Sequence, residues 1–418
     1  MTPKHVATTP KGFYLAGDNT DVGDEDGLVH SIAIYYSTMG SKLAEKVMSN
    51  AHVLVLTSAG TDNVYALMYA TMIDIYGQYN VFHFREGALD DAWFPNWVES
   101  PVGEFALDLL LGSSDRAYVV GTECPTDDCY ATSNTKISVF SSDGELLDGW
   151  IFDLVPLGSE FVAAADIGED ETIIFASLVW EDPNPNYFPD TVNVTKIDGD
   201  GEIIWSTTDP EPTSAHPIAV RATPDDGAIV AGLTSDTPVA YFIQRYLASG
   251  DKGWSDSYQA GSGSWYDLSI TVAVDNTANV YTASNPASDV VGDEDCVAGD
   301  VLMVRKYGNA GEVLWQRAYC GDSANADERD ARLALADDGS VYVAGSTFVE
   351  GRRDVVVLKY DADGNEHWRT FFDSVGQCAG VDDDDDSAGD DSDDDIDDDA
   401  NNDNDDDDDD DDASCCGC

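Results

Sequence analysis

The chain is 418 residues long and carries 82 acidic against 20 basic residues, a formal charge of −62. A surface this acidic repels nucleic-acid phosphates and anionic membranes, so a nucleic-acid partner is excluded. No stretch reaches transmembrane length, so membrane insertion of this chain is not expected either.

The predicted elements are strands from one end to the other, and they come in seven copies of one unit. The clearest copy is near the end. It reads Ala331-Arg-Leu-Ala-Leu-Ala-Asp-Asp-Gly339, Ser340-Val-Tyr-Val-Ala-Gly345, Asp354-Val-Val-Val-Leu-Lys-Tyr360, Asp361-Ala-Asp-Gly364 and Asn365-Glu-His-Trp368. Each run between turns has strand length and is rich in β-branched or aromatic residues. The units cover residues 4–48, 51–94, 104–153, 160–207, 215–257, 266–319 and 326–373.

Three landmarks recur. A large residue closes the third strand at Tyr36, Phe84, Phe140, Ile197, Tyr246, Tyr307 and Tyr360, with a mean spacing of 54 residues. A small residue ends the second strand at Gly17, Gly121, Ser177, Gly232, Ser284 and Gly345, with Met68 as the exception. A Trp follows the turn glycine in the fourth strand. It lies four residues on in Gly201/Trp205, Gly250/Trp254, Gly311/Trp315 and Gly364/Trp368, and six on in Gly87/Trp93 and Gly144/Trp150. The first unit has Ala44 there. A small antiparallel sheet with two apolar faces cannot cover both alone and must stack on copies of itself, with the Trp as a wedge between neighbours. Seven four-stranded units predict an all-β fold, a closed seven-bladed β-propeller, since such rings hold roughly four to eight blades.

These units resemble the bacterial seven-bladed β-propeller repeats built on a Val-Tyr-Val-Ala-Gly … Lys-Tyr-Asp-x-x-Gly-x-x-x-Trp motif. The resemblance covers residues 4–373. It is strongest in the last two units and weakest in the first two. More distantly they are similar to quinoprotein-type propeller repeats. The first resemblance implies a secreted or surface protein, and it brings no catalytic residues with it.

After the repeats comes a separate region, residues 374–418. Its stretch 382–412 holds 22 Asp and no basic residue. A like-charged run with almost no apolar residues is expected to stay disordered. It ends in Ala413-Ser-Cys-Cys-Gly-Cys418, similar to bacterial sorting tails but without their apolar helix and basic stop. At the other end, Met1 to Thr8 has no apolar core and is not a signal peptide. The repeat begins almost at once, so the start is expected to be incomplete.

Of the eight Cys, Cys124 and Cys129 flank a short insert in unit three. Cys296 and Cys320 lie at the outer ends of a predicted hairpin in unit six. Both pairs can reach disulfide distance, which points to an oxidising compartment, extracellular or cell envelope. No His stands at ligand spacing beside them, as a zinc site would need.

In four-stranded antiparallel units the first and third turns share one end of the sheet. Here those are tight Asp/Gly turns such as Thr223-Pro-Asp-Asp-Gly227 and Asp198-Gly-Asp-Gly201, which need no function. The opposite end carries long irregular loops at 18–28, 94–104, 122–135, 180–190 and 285–299, where function on a rigid scaffold is expected. Two of these loops share a phrase, Asp21-Val-Gly-Asp-Glu-Asp26 and Asp289-Val-Val-Gly-Asp-Glu-Asp295. Asp21, Asp24, Asp26, Asp293 and Asp295 are candidate Ca2+ ligands, since calcium takes six to eight oxygens, although neither loop matches the twelve-residue calcium loop. Trp97, Trp180, Tyr187, Trp265 and Tyr266 are candidate ligand-facing aromatics, with packing as the alternative for each. The chain contains no Gly-x-Ser-x-Gly elbow, His-Glu-x-x-His or phosphate-binding glycine loop. Asn193-Val-Thr195 is a glycosylation sequon.

These readings predict a secreted or cell-surface binding or scaffold propeller, a monomer whose partner is a protein or glycan. The alternatives are a propeller enzyme acting on polysaccharide or using a quinone cofactor, and a structural surface-layer component.

Overall fold

The structure is a computed structural model. It describes residues 2–9, 12–19, 30–37, 42–49, 51–58, 63–70, 79–85, 88–89, 104–112, 116–124, 133–141, 145–154, 159–180, 191–209, 215–234, 238–260, 268–286, 301–320, 329–336, 338–349 and 352–372. Among them there is no helix. The strands form seven four-stranded antiparallel sheets, each in simple chain order. Numbered 1 to 7, the sheets cover 2–49, 51–89, 104–152, 159–209, 215–259, 270–319 and 329–372. No sheet mixes strands from the two chain ends. The acidic tail lies outside the described residues.

The sheets stack in a propeller-like manner. The first strand of each packs beside the first strand of the next, from sheet 1 to sheet 7. Sheets 2 to 6 are therefore flanked on both faces, and in sheet 5 the second strand, Ala228–Thr234, is buried along its whole length. From sheet 2 to sheet 7 each joint has its own apolar cluster. Between sheets 3 and 4, Leu110, Tyr118 and Ile137 meet Ala165, Ile173 and Phe175. Between sheets 5 and 6, Tyr241 and Ile243 meet Ile270 and Met303. Between sheets 6 and 7, Tyr281 and Val304 meet Val341 and Leu358. Burial of about 1.5–3 kcal/mol per large side chain makes these joints the main source of cohesion.

The periodic Trp does act as a wedge, and it has a specific seat. Trp150, Trp205, Trp254 and Trp315 each lie against the turn glycine of the following sheet: Gly201, Gly250, Gly311 and Gly364. Those glycines have φ of +84°, +82°, +90° and +79°, a region that L side chains rarely adopt. A Cβ on Gly311 would come within 2.5 Å of the Trp254 ring. Glycine is thus required twice, by the turn and by the indole above it. The ring also meets the residue that closes the third strand of the next sheet. Trp205 stacks on Tyr246 and Trp254 on Tyr307, with centroids 6.2 and 5.4 Å apart. Two indoles donate their N–H to the turn that seats them, Trp254 to the Asn309 carbonyl of sheet 6 at 3.0 Å and Trp315 to the Ala362 carbonyl of sheet 7 at 3.1 Å. The six-residue spacing at Trp150 moves it two residues along its strand, opposite Ile137, where Trp205 sits opposite Lys196. Two residues keep the same face of a strand, so Trp150 still reaches Gly201.

The small residue at the end of the second strand also has a physical cause. In sheets 1 to 5 the first strand carries a β-bulge, and Gly17, Met68, Gly121, Ser177 and Gly232 stand at it, paired with Pro3, Val53, Ala106, Val162 and Pro217. Sheet 7 has an irregularity at the corresponding place, between Arg329 and Arg332. The bulge brings the opposing backbone close. At Gly232 a Cβ would collide with the His216 carbonyl. Bulges occur a second time, before the Trp in the fourth strand, where Ile204, Leu314 and His367 are passed over. A bulge on this outermost strand disrupts the edge that would otherwise pair with another chain.

The sequon is part of the core. Asn193 is 3% exposed and accepts a hydrogen bond from Ser206 at 3.2 Å, while Thr195 is fully buried. Its place in the third strand of sheet 4 leaves no room for a glycan on the folded chain.

Candidate functional site

Among the described residues, the tight-turn end of the sheets differs from the line of innermost first strands, called the axis below. At the tight-turn end, polar groups serve the fold. Asp361 accepts the backbone N–H groups of Asp363 and Asn365 at 3.0 and 2.8 Å, with the Asn365 amide at 2.9 Å. These bonds hold its carboxyl below the usual range. Asp275 does the same for Thr277 and Asn279. Partial burial works against that carboxyl, but the bonds from Asn279 and Thr277 prevail and its pKa is lowered. The Asp-rich turns are thus capped by their own backbone.

The few cations are set into the same end. The residue before the third-strand closer is Lys196, Arg245, Lys306 or Lys359 in sheets 4 to 7. Buried Lys196 crosses to sheet 5, where it bonds the Asp226 carbonyl at 3.0 Å and the Asp226 carboxylate. Arg245 pairs with Asp225 in that turn. Lys306 reaches the Ala362 carbonyl of sheet 7 at 3.1 Å and lies 4.9 Å from the Tyr281 ring centre. Arg317 donates to the Gly364 carbonyl at 2.6 Å. In a chain this acidic, Lys196, Lys306 and Arg317 tie one sheet to the next, while Arg245 holds a turn of its own sheet.

The axis is different. The innermost strands of sheets 3, 4 and 5 carry Asp108, Asp166 and Arg221. The Asp166 carboxylate accepts the Ala222 N–H at 2.8 Å, which sets it beside Arg221. Asp108 accepts the N–H of Leu109 at 2.8 Å. No ion pair within 4 Å joins either carboxylate to Arg221. Arg221 nevertheless acts electrostatically on both, and Asp166 acts on Asp108. Asp108 is half-buried and closely surrounded by protein. Enclosure lifts its carboxyl to about 6, with the Leu109 bond and Arg221 opposing and Asp166 adding. Burial raises Asp166 too, against the pull of Arg221. Two large apolar residues of the innermost strands are exposed, Leu107 of sheet 3 at 36% and Ile218 of sheet 5 at 40%. Both occupy the extra position of the first-strand bulge, which turns them off the packed faces.

A buried carboxyl lies toward the loop end of the joint between sheets 3 and 4. Glu160 is 1% exposed, accepts the Thr135 hydroxyl at 3.0 Å and leaves Oε2 without a partner. Burial pushes its pKa up.

Of the predicted site residues, Trp180 packs edge-on against Phe161, with centroids 5.6 Å apart. Cys124 and Cys320 are each disulfide-bonded. Cys129, Cys296, Asp21, Asp24, Asp26, Asp293, Asp295, Trp97, Tyr187, Trp265 and Tyr266 lie outside the described residues. Among the described residues, no group of three or more His, Cys, Asp or Glu side chains is placed to hold a metal ion. No helix among them is long and apolar enough to cross a membrane. The axial group is absent from the sequence reading. Its signal was a charged residue inside an apolar first strand, as in Ala106-Leu-Asp-Leu-Leu-Leu111.

No family model matches the chain, and no curated protein matches it. Among solved structures it is similar to the BP39L lectin from Burkholderia pseudomallei, at 10% identity and a TM-score of 0.54, over 88% of this chain and 98% of that one. It is also similar to an acylaminoacyl peptidase from Pyrococcus horikoshii, at 12% identity and a TM-score of 0.49, over 87% of this chain and 51% of that one. A Bacteroides caccae protein of unknown function follows at 9% identity and a TM-score of 0.40, over 72% and 92%. At these identities the likeness concerns the fold alone.

Proposed function

We propose that this chain is a non-catalytic binding or scaffold protein, secreted or held at the cell surface. In this reading the seven sheets close into one ring as the blades of a propeller. The units belong with the bacterial seven-bladed repeats they resemble, and Cys124 pairs with Cys129 and Cys320 with Cys296. The single observation that carries the reading is that the tight-turn end of the sheets is taken up by the fold itself. At the tight-turn end, Asp carboxylates and Lys or Arg side chains are engaged in turns and inter-sheet bonds. What is left to meet a partner is the axis and the end bearing the long loops. Concave sites with a few convergent polar groups on a rigid scaffold are where ligands bind.

A glycan array tests the proposal when run on the isolated chain beside an assay for newly released reducing or unsaturated ends. Retention of a glycan without new ends supports a binding protein. New ends would establish the rival reading, a propeller enzyme acting on polysaccharide. Fractionating envelope from medium in the native host tests the location. A chain found in the cytosol, with Cys124 and Cys320 as free thiols, contradicts it.

A further inference from the structure

We propose that the acidic segment after the last strand, residues 374–418, docks on the outward face of sheet 7, with its Asp run against Lys359 and Arg332 and its apolar start over Trp368. The inference takes the ring order of the reading above as its frame and adds a contact that the chain makes with itself.

The face comes first. In the second strand of sheet 7, Val341 and Val343 are buried against sheet 6. Tyr342, Ala344 and Ser346 alternate with them, so they lie on the opposite face, and they are only half-buried. The same strand of sheet 5 is buried along its whole length. Tyr342 stands opposite Lys359, Lys359 opposite Trp368, and Ala344 opposite Arg332. Arg332 is exposed, and Trp368 is 43% exposed. The Lys359 ammonium lies 5.1 Å from the Tyr342 ring centre, and the Trp368 ring centre lies 6.1 Å from it. Neither of these two rows across the sheet contains an Asp or Glu. In a chain with 82 acidic and 20 basic residues, this is an aromatic and cationic face.

The repeat shows what its cation lacks. Lys196, at the same position in sheet 4, meets the Asp226 carboxylate in the first turn of sheet 5, Thr223-Pro-Asp-Asp-Gly227. In ring order the turn after Lys359 is Thr9-Pro-Lys-Gly12, which offers a Lys instead. Asp338 of its own turn acts on Lys359 electrostatically. A fuller counter-charge is available from the segment that follows.

Reach and charge name that occupant. The described residues end at Phe372, the last residue of this sheet's fourth strand. Residues 373–381 then lead into the stretch 382–412 with its 22 Asp. Fully extended, that lead spans about 30 Å, and a four-stranded face is about 14 Å across, so the Asp run reaches every part of it. Val375, Ala379 and Val381 lie within the lead and suit the exposed indole. The tether gives such a contact an effective concentration on the order of millimolar. A second copy would instead bring a further net charge of −62 against the first.

The test is zero-length carbodiimide coupling of the full chain, mixed from light and heavy-isotope protein at about 50 mM salt, read by mass spectrometry. Lys359 should couple to an Asp of 382–412 in its own chain. Raising the salt to about 500 mM should cut that yield about fivefold, because exposed charges are screened. Arg332→Gln is an exposed change that should leave the thermal midpoint in place. It should cut the yield about threefold, the share of one exposed ion pair. Unchanged yield in this variant or at the higher salt overturns the proposal. So does coupling between light and heavy chains, which would make the occupant a second copy. Equal coupling of the Asp run to exposed lysines of other sheets also overturns it, since the attraction is then general. No coupling at Lys359, with Lys252 coupled to Asp209 as the control, does the same. If Lys359 couples to sheet 1 instead, the closing joint takes the face: the docking fails and the ring reading stands.

Discussion

The joints between sheets 4 and 7 and the last sheet of the run use the same parts to different effect. At each inner joint an indole is seated against a turn glycine and next to an aromatic ring of the following sheet. At the end of the run Trp368 meets Tyr342 of its own sheet and is 43% exposed. The first unit, next in any closed ring, carries Ala44 at its own wedge position. In a repeat protein, stability is close to a sum of unit and nearest-neighbour terms, so cohesion should fall where a wedge is exposed or replaced by a small residue. The comparison teaches that the wedge and its seat, rather than the Trp alone, define a joint.

The largest effect that can break this comparison is Trp254→Ala. Loss of a half-buried indole with its stacking partner and hydrogen bond should cost about 3 kcal/mol by urea unfolding. Trp368→Ala should cost under about 1 kcal/mol by the same measurement. Equal losses would contradict the distinction. Next comes Gly311→Ala, expected at about 2 kcal/mol because the new methyl meets both a positive φ and the indole.

A smaller effect concerns the axis against the turns, read through pH. Asp108, Asp166 and Glu160 have raised carboxyl pKa values in the folded chain. Their contribution to stability is present in acid and is lost as pH rises through the folded values, which is about 6 for Asp108. Asp275 and Asp361 have lowered values. Theirs is present above the ordinary carboxylate pKa and is lost as pH falls through the folded values. Stability should therefore peak near the ordinary carboxylate pKa, about pH 4, and decline toward about pH 6. Asp108→Asn should raise the thermal midpoint at pH 8, by about 1 kcal/mol of stability, and leave it nearly unchanged at pH 4.5. A fall at pH 8 would show that the charged form of Asp108 is compensated after all. The smallest expected effect is none: in a host that glycosylates, folded material should show no mass increase at Asn193.

The repeat was legible because its markers are large, periodic and placed on one face. Trp205, Trp254 and Trp315 are wedges, and Tyr246, Tyr307 and Tyr360 are the buried rings beside them. The small residues at Gly121 and Gly232 were visible too, but their cause was not. A bulge is a backbone event, and its trace in sequence is only the side chain that the opposing strand cannot accommodate. The burial of Lys196 and Arg245 was not legible, because a Lys or Arg before the residue that closes a strand does not disclose which turn will pair with it, that of the next sheet for Lys196 and that of its own sheet for Arg245. Asp108 was hidden for a related reason. Its run reads as an ordinary apolar strand, and its neighbours at the axis, Asp166 and Arg221, are 58 and 113 residues away in the chain. The sequon misled in the opposite direction: three adjacent residues matched a motif that burial makes inaccessible.

A double-mutant cycle on Trp254 and Gly311, read by equilibrium unfolding in urea, tests the wedge and seat most directly. If the indole's contact with the glycine holds sheet 5 to sheet 6, removing the ring makes space for the methyl. Gly311→Ala should then cost at least about 1 kcal/mol less in the Trp254→Ala background than in the native chain. Losses that add within about 0.3 kcal/mol would show that ring and glycine act independently, and would contradict the account.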